Sequence, residues 1–425
     1  MDSDITYYHS FSEERTDKKF LATLLLAFLL WPFGSLLIAL YHYTRREAHT
    51  IFILFTGLYG YLMVADSAGL DLFRTLHSLQ IYSALSAGDI FKAIGGVYSQ
   101  EPDSSVDIYR DLVTFLVSRV TSNGSILTLI FGLIYGWLFV KSISIFIDQN
   151  NGKGFFITLL MFCFSFIFPL DQLAGVRYAT AAYLFFAGTT KFLETQDKRH
   201  LLSVIITPLI HFAFLSLVVA VVIYLILKKR AVFIYIILLV SFILPGLIEG
   251  YVNKVSSLFG GAIEQRANLY LYQKELMGNN HTQLAWYIRY REESMFYFAI
   301  ATLALSKLFF RRLQSTIFSE SVFLMSLLIL SLVNFTTNIP HAGYRYQFVF
   351  IMFVVFYLFL LYINNSSNKM IRVFTLMAGP AFFFQIIYGL RNILATSSPM
   401  LFIGNFLSFF MVNYDQSLWS IIFNK

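Results

Sequence analysis

Long apolar segments recur along the chain, and they restrict its fold more than any other feature. They cover residues 20–41, 50–65, 124–147, 155–170, 177–193, 200–227, 231–248, 294–310, 318–335, 345–363 and 371–389. Most have about the 17 to 25 residues of a bilayer-spanning helix, the first run included, and none alternates like a barrel strand. Since lipid obliges each span to satisfy its own backbone hydrogen bonds, the sequence predicts an all-α polytopic integral membrane protein.

The composition excludes a water-soluble globule. Of the 425 residues, 57% are hydrophobic and 13% are charged, which is too little polar surface for water. The net charge of +7 is spread over short loops, so we expect no nucleic-acid partner. Cys163, the single cysteine, cannot form an intrachain disulfide. Without a Cys/His cluster or a phosphate-cradling glycine loop, we expect no metal and no cofactor.

The basic residues of the short loops predict the orientation in the membrane. If the N-terminus is outside, the inside loops are 43–49, 148–154, 194–200, 228–230, 311–312 and 364–372, and they hold nearly every basic short-loop residue. This arrangement requires residues 200–227 to enter and leave the membrane on the same side. The sequence therefore predicts about ten transmembrane helices plus one re-entrant hairpin.

The predicted hairpin has short arms and a polar tip. Each arm has at most about 14 residues and rises about 21 Å, which is less than a hydrocarbon core of about 30 Å. Pro208 and His211 would lie near the tip, and re-entrant backbone is tolerated where protein or a water-filled cavity surrounds it. The alternative is one long tilted helix with a kink at the proline.

The chain has no internal repeat and no soluble domain, so we predict a single membrane domain over residues 1–425. With the orientation above, external segments lie near 66–124, 249–293 and 338–345. These segments hold most of the residues capable of chemistry.

Arginines are predicted at the outer starts of three inward-running helices. They are Arg177 in GVRYATAAYLF, Arg289 and Arg291 in YIRYREES, and Arg345 in HAGYRYQF. A cation at a helix N-terminus opposes the macrodipole, and arginine on the outer face opposes the positive-inside bias. A bound oxygen anion, phosphate in particular, would account for both unfavourable placements, because it is attracted by the helix N-terminus and by the guanidinium group. The alternative is that the arginines pair with nearby carboxylates (Asp171, Glu292, Glu293) or with lipid headgroups.

Two histidines and several external aspartates complete the set of chemically capable residues. His211 and His341 are candidate general bases, because imidazole titrates near neutral pH; a hydrogen-bonded packing role is the alternative. The aspartates either contact sugar hydroxyls or are solvated: Asp66, Asp71, Asp107 and Asp111. Acidic residues are nearly missing from the middle of the spans, which disfavours an ion-coupled transporter.

The order of these motifs resembles the Wzy-type polysaccharide polymerases, especially the EpsG-like subgroup. The stretches that carry the resemblance are DLFR, DIYRDLVTFLVSRVTSNGSILTLIFGLIYG, GVRYATAAYLFFAG, LIHFAFLSLVV and YRYQFVFIMF, over roughly residues 55–365. The family's Phe-His-Ser element is represented here by Ile210-His211-Phe212.

The resemblance implies a fold like that of the C-type glycosyltransferases, in the bacterial cytoplasmic (inner) membrane. It implies that oligosaccharide repeat units on undecaprenyl diphosphate, as donor and acceptor, are joined at the outer face for O-antigen, capsule or exopolysaccharide. An acceptor hydroxyl would attack the anomeric carbon, and the lipid diphosphate would leave. Membrane lipid and a chain-length regulator protein are the further partners implied.

The patterns and the resemblance together define a predicted site. The catalytic candidates are His211, His341 and Asp71. The substrate-binding candidates are Arg177, Arg345, Arg289, Arg291, Arg74 and Tyr344. Two competing functions remain: an O-antigen-ligase-like transferase, which differs in its acceptor, and a lipid-linked glycan flippase, which would need a duplicated bundle with a charged central cavity.

Overall fold

The structure is a computed structural model. It describes residues 17–64, 70–86, 88, 108–150, 154–244, 286–308, 315–339, 342–411 and 416–423. Within these ranges the chain is helical, and the only β pairing is an isolated bridge between Met63 and Ser397. The predicted all-α class is therefore confirmed for the described chain.

The helices have the following bounds. They are α1 (Lys18–Leu30), α2 (Pro32–Tyr41), α3 (Arg46–Tyr61), α4 (Leu70–Ala84), α5 (Ile108–Ser118), α6 (Gly124–Asn150), α7 (Phe155–Ser165), α8 (Tyr178–Thr195), α9 (His200–Ile210), α10 (Phe214–Leu227), α11 (Ala231–Ile243), α12 (Trp286–Leu308), α13 (Ile317–Phe335), α14 (Ala342–Asn364), α15 (Lys369–Leu376), α16 (Ala378–Thr396), α17 (Met400–Ile403), α18 (Ser408–Met411) and α19 (Leu418–Phe423). A 3-10 helix, Leu170–Gly175, stands between α7 and α8.

Five helical stretches of the described chain are long and apolar enough to cross a membrane. They are Gly124–Gln149, Phe155–Gly175, Ile317–Phe335, Gly343–Asn364 and Lys369–Thr396. Other apolar runs form helices of 10–17 residues, which rise only about 15 to 25 Å. The architecture is that of a membrane protein, and the total of about ten spans stays a prediction.

The central helix is α14. Its residues from Phe348 to Leu361 are buried on every face, which marks a helix enclosed by other helices. From α6, the Phe146 ring lies 4.9 Å from the ring centroids of Phe164, Phe356 and Phe359. Aromatic packing of this kind joins α6, α7 and α14 into one core.

Glycines allow α3 and α6 to pack backbone against backbone. A Cβ at Gly60 would lie 2.2 Å from the Thr128 carbonyl oxygen, and one at Gly132 would lie 2.3 Å from the Thr56 carbonyl oxygen. The same Cβ at Gly60 would lie 3.2 Å from Leu173 of the 3-10 helix. Small residues at such contacts let membrane helices approach closely, and here the contact also positions the 3-10 helix.

The first apolar run is two helices, although residues 20–41 were expected to be long enough for one span. The chain breaks at Trp31 (φ −154°, ψ 90°), and proline follows at the first position of α2. The Phe20 and His42 rings are 5.0 Å apart, so α2 folds back along α1. The physical reason is Pro32, which has no N–H for a continuous helix and suits a helix start.

Residues 200–227 also form two helices, α9 and α10. Pro208 lies in the last turn of α9, and His211 is extended, with φ −149° and ψ 114°. A proline near a helix end is compatible with a break at this point. The break at His211 matches the position predicted for the polar tip.

The contacts at the two ends of this pair define the direction of its arms. At the break, the His211 ring lies 5.6 Å from the ring of Tyr178, at the start of α8. After the end of α10, Lys228 Nζ donates to Gln196 Oε1 at 2.7 Å, just beyond the end of α8. Because α9 also begins beside the end of α8, α9 and α10 run antiparallel.

Candidate functional site

A cavity of about 250 Å³ lies where the 3-10 helix, the starts of α8, α12 and α14, and the His211 break meet. Its charged and polar lining residues are Asp71, Asp171, Gln172, Arg177, Tyr178, His211, Arg291, Tyr344, Arg345, Gln385 and Tyr388. Three arginines face two aspartates, which leaves one excess positive charge when histidine is neutral. The cavity is therefore suited to an anion.

The cavity brings together six residues predicted from the sequence. They are Asp71, Arg177, His211, Arg291, Tyr344 and Arg345. Two others do not line it: Arg74 is 68% exposed with Nη1 3.7 Å from Asp71, and Arg289 is 73% exposed and pairs with Glu293 at 2.7 Å. His341 lies outside the described residues.

Arg177 is the N-cap of α8 and follows a strained turn. Val176 has φ 54° and ψ −42°, and the Arg177 N–H donates to the Gly175 carbonyl at 2.5 Å. Positive φ is an outlier for a β-branched residue, and this three-residue turn is rare. Such strain persists where the surrounding structure imposes it and is concentrated at functional sites.

The Arg177 side chain is buried and paired. Its relative exposure is 9%, and its Nη2 lies 3.3 Å from Asp71 Oδ2. The sequence alternative offered Asp171, Glu292 and Glu293 as the arginines' partners. Arg289 and Arg291 do pair with Glu293 and Glu292, while Arg177 pairs with Asp71.

Arg345 belongs to the first turn of α14, next to the start of α8. Its guanidinium carbon lies 5.8 Å from the Tyr178 ring centroid, and the Tyr178 hydroxyl donates to the Arg345 carbonyl. The neighbouring Tyr346 hydroxyl donates to Ala213 O at 3.0 Å and accepts from Ser216 Oγ at 2.7 Å. These contacts hold Arg345 near the His211 break.

His211 is 6% exposed and has a defined ring contact. Its Nδ1 accepts from the Ala213 N–H at 3.2 Å. A neutral imidazole with one nitrogen accepting carries its proton on the other, so Nε2 is a donor in this state. Arg177, His211 and Arg345 are called the arginine cluster below. The role of His211 as general base stays a prediction.

A second group of side chains lines the same cavity from other elements. Arg291, from α12, has its guanidinium carbon 4.0 Å from the Tyr388 ring centroid. Its Nη2 donates to the Tyr344 hydroxyl at 3.0 Å and to Glu292. Its Nε is buried and has no hydrogen-bond partner among the described residues.

Asp171, of the 3-10 helix, is 8% exposed. Its Oδ2 accepts from Asn392 Nδ2 at 3.1 Å and from Gln172 Nε2 at 3.3 Å. Gln385, of α16, donates from Nε2 to the Phe166 carbonyl at 2.8 Å. In the part of the chain that the structure describes, Asp171 Oδ1 and Gln385 Oε1 are buried without a partner. Asp171, Arg291 and Gln385 are called the aspartate cluster.

The sequence patterns missed most of the aspartate cluster. They indicate Asp171 only as a partner for arginine, and they do not single out Gln385. The available signal was an amide inside the apolar run 371–389, since polar groups within membrane segments usually have a partner or a function.

Comparison with known proteins assigns the family. A family model described as EpsG family matches residues 80–395, which is well over half of the 425 residues. The chain belongs to the EpsG family. No curated protein and no solved structure matches the chain. Membership in the EpsG family indicates a polysaccharide-polymerase-like membrane protein with glycosyltransferase-like chemistry.

The EpsG match includes both clusters of the cavity. Arg177, His211, Arg291, Arg345 and Gln385 all lie within residues 80–395. Asp171 and its donor Asn392 lie there too, whereas Asp71 precedes the matched range. The cavity is thus built almost wholly from the EpsG region of the chain.

Proposed function

We propose that this EpsG family protein is a polysaccharide polymerase. It joins oligosaccharide repeat units carried on undecaprenyl diphosphate, at the outer face of the bacterial cytoplasmic membrane. The observation that carries the proposal is the arginine cluster, which meets in one cavity beside a break between two short helices. The proposal includes about ten spans and a chain-length regulator as partner.

In the proposed reaction the arginine cluster binds the diphosphate of the donor. An acceptor hydroxyl attacks the anomeric carbon, and the lipid diphosphate leaves with the bonding electron pair. Guanidinium groups suit phosphate oxygens because they present paired donors. Donors placed where charge develops stabilise the transition state strongly. In this role Asp71 holds Arg177, and His211 donates from Nε2 to a phosphate oxygen.

The proposal also includes a re-entrant hairpin formed by α9 and α10, with His211 at its tip. Its support is the antiparallel course of two arms of 11 and 14 residues, with basic residues at both open ends. Arms of this length rise about 17 to 21 Å, less than the membrane core. The hairpin brings a polar group to the cavity without a full crossing.

Side-specific labelling tests the hairpin. A membrane-impermeant maleimide should modify Lys198→Cys and Lys229→Cys from the same side of the membrane, since both positions flank the open ends. The native Cys163 is buried and serves as the unlabelled background. Labelling of the two positions from opposite sides would show a single crossing instead.

Deletion of the gene tests the function. Surface glycan of the deletion strain, resolved by gel electrophoresis, should contain single repeat units, and the wild-type gene should restore long chains. Accumulation of lipid-linked polymer that is not transferred would indicate a ligase. Loss of all external repeats would indicate a flippase, and either result would overturn the polymerase assignment.

A further inference from the structure

Three polar atoms of the aspartate cluster are buried without a hydrogen-bond partner among the described residues. They are Asp171 Oδ1, Gln385 Oε1 and Arg291 Nε. The first two accept hydrogen bonds, and the third donates one. The three atoms have almost no exposed surface of their own, but all three side chains line the same cavity, so an occupant toward which they turn finds both kinds of partner.

Each of these side chains is anchored by a hydrogen bond through a different atom. Asp171 is held through Oδ2 by Asn392, Gln385 through Nε2 by the Phe166 carbonyl, and Arg291 by Tyr344. A buried polar group without a hydrogen-bond partner destabilises the fold. Side chains that are anchored at one atom and unsatisfied at another are prepared for a ligand that supplies the missing partner.

A sugar hydroxyl supplies what this cluster lacks. It donates one hydrogen bond and accepts others, so it pairs with a carboxylate or amide oxygen and with a guanidinium N–H together. An ionised phosphate oxygen has no proton to donate and can only accept hydrogen bonds. It therefore leaves the two acceptors, Asp171 Oδ1 and Gln385 Oε1, unsatisfied. The chemistry of the cluster therefore favours the glycan over the diphosphate.

We propose that Asp171, Arg291 and Gln385 form the subsite for the acceptor sugar, and that Asp171 accepts the proton of the attacking hydroxyl. This inference rests on the proposed polymerase function. Arg291 and Gln385 orient the sugar, and the arginine cluster holds the leaving diphosphate in the same cavity.

The proton and electron balance of the step is complete. The acceptor O–H bond breaks and its proton moves to Asp171 Oδ1, while the acceptor oxygen forms a bond to the anomeric carbon of the donor. The bond from that carbon to the phosphate oxygen breaks, and its electron pair leaves with the lipid diphosphate. Proton release from Asp171 to water then restores the carboxylate.

Purified protein and two defined probes test the proposal. The first probe is the lipid-linked oligosaccharide fraction extracted from cells that lack this gene, and polymer formation gives kcat and KM. The second is undecaprenyl diphosphate, whose Kd reports the arginine cluster. Asp171→Asn keeps the shape but cannot accept the proton, so kcat should fall about 10²- to 10⁴-fold, with KM and Kd within about threefold.

Asp148→Asn is the matched control. Asp148 also has a partly buried side chain, an Oδ1 without a partner among the described residues, and a second oxygen paired with Lys191 at 3.4 Å. It lies at the end of α6, and Lys191 lies near the end of α8, whereas the cavity adjoins the start of α8. The control should retain wild-type kcat.

If Asp171→Asn does not fold, Gln385→Met tests the acceptor subsite instead. Loss of the orienting amide should raise KM about tenfold with little change in kcat, because it weakens binding in ground and transition states alike. Normal kcat in a folded Asp171→Asn protein, or normal KM in Gln385→Met, would overturn the acceptor subsite. If wild-type protein makes no polymer from the extracted fraction, the proposed function itself fails, and the subsite with it.

Discussion

The two clusters of the cavity differ in how far the fold satisfies their polar groups. In the arginine cluster, Arg177 pairs with Asp71 at 3.3 Å and His211 Nδ1 accepts from Ala213. In the aspartate cluster, three buried atoms have no partner within the described chain. The first cluster is thus preorganised by protein contacts, as suits the stabilisation of an anion. The second keeps hydrogen-bonding capacity for a ligand.

The clusters also differ in the elements that carry them. The arginine cluster lies on two helix starts and the break between α9 and α10. The aspartate cluster combines the 3-10 helix with α12 and α16. Substitutions can therefore be directed at one cluster while the other is monitored. The Kd of undecaprenyl diphosphate reports the first cluster. The KM for the lipid-linked oligosaccharide, which contains the acceptor sugar and is called the acceptor KM below, reports the second.

Within the arginine cluster, the largest effect is expected from the two arginines. Arg177→Lys and Arg345→Lys keep the charge but lose the guanidinium fork. Loss of donors to developing charge should lower polymer turnover about 10²- to 10³-fold and weaken binding of undecaprenyl diphosphate. Turnover of purified protein and the Kd of the lipid diphosphate measure the two effects.

Arg74→Lys is the matched control for these variants. Arg74 belongs to the predicted site but is 68% exposed and does not line the cavity. It should keep turnover within about twofold, because exposed ion pairs contribute little. Full polymer length in both the Arg177 and Arg345 variants at normal expression would leave the arginine cluster with a structural role only.

His211 gives the next largest effect and separates two roles. A hydrogen-bond donor is retained in His211→Gln and lost in His211→Ala. If His211 donates to the diphosphate, the alanine variant should lose about 10²-fold in turnover, and the glutamine variant should stay within about tenfold of wild type. Equal losses of about 10²- to 10⁴-fold in both variants would instead identify it as the general base and displace Asp171 from that role.

The sequence predicts the arginine cluster better than the aspartate cluster for a physical reason. Arg177, His211 and Arg345 stand out locally, because charge at a helix start and a histidine in an apolar run violate simple expectations. The role of Asp171 depends on Asn392, which is 221 residues away, and on atoms that packing leaves unsatisfied. No local pattern encodes such a contact.

The fold, like the site, is predicted only in part from the sequence. Apolar length correctly predicts the all-α membrane class. The break at His211 lies where the polar tip of the predicted hairpin was expected, while the hairpin that the charge pattern predicts stays a prediction. The break at Trp31 was missed, because the whole run 20–41 is apolar and only the proline after Trp31 marks it. Helix breaks thus follow from particular residues, while counts of apolar residues do not reveal them.

A backbone contact offers a smaller perturbation near the aspartate cluster. Gly60→Ala would place a methyl group 2.2 Å from the Thr128 carbonyl and 3.2 Å from Leu173, two residues after Asp171. Overpacking of this kind typically costs about 1 to 3 kcal/mol. We expect a lower Tm, and a raised acceptor KM as the 3-10 helix shifts, with the Kd of undecaprenyl diphosphate less affected.

Gly379→Ala is the control for this substitution. A Cβ there meets only Leu159 at 3.9 Å, an ordinary contact, and alanine in a helix is favoured over glycine by about 0.5 to 1 kcal/mol. Its Tm should be unchanged or raised. A Gly60→Ala protein with the same Tm and KM as wild type would show that the α3–α6 contact does not position the aspartate cluster.

The smallest effect is expected from Tyr346→Phe, which acts on the arginine cluster. The lost hydroxyl donates to Ala213 O and accepts from Ser216 Oγ, and each such bond contributes about 0.5 to 1.5 kcal/mol. Because Ser216 Oγ also lies 2.8 Å from Ala213 O, its single proton turns to that carbonyl when the Tyr346 hydroxyl is removed, so neither Ser216 nor Ala213 O is left without a partner. We expect a loss in affinity for undecaprenyl diphosphate of about three- to tenfold, as the start of α14 loosens against the His211 break.

The acceptor KM of Tyr346→Phe shows whether the substitution affects the arginine cluster alone or the whole cavity. Tyr362→Phe, in the last turns of the same helix, should change neither constant and controls for the loss of a hydroxyl. If Tyr346→Phe alters the Kd of undecaprenyl diphosphate but leaves the acceptor KM unchanged, the two clusters bind different parts of the substrates. If both constants shift by the same factor, the cavity responds as one unit, and the division of anion and acceptor between its two clusters is wrong.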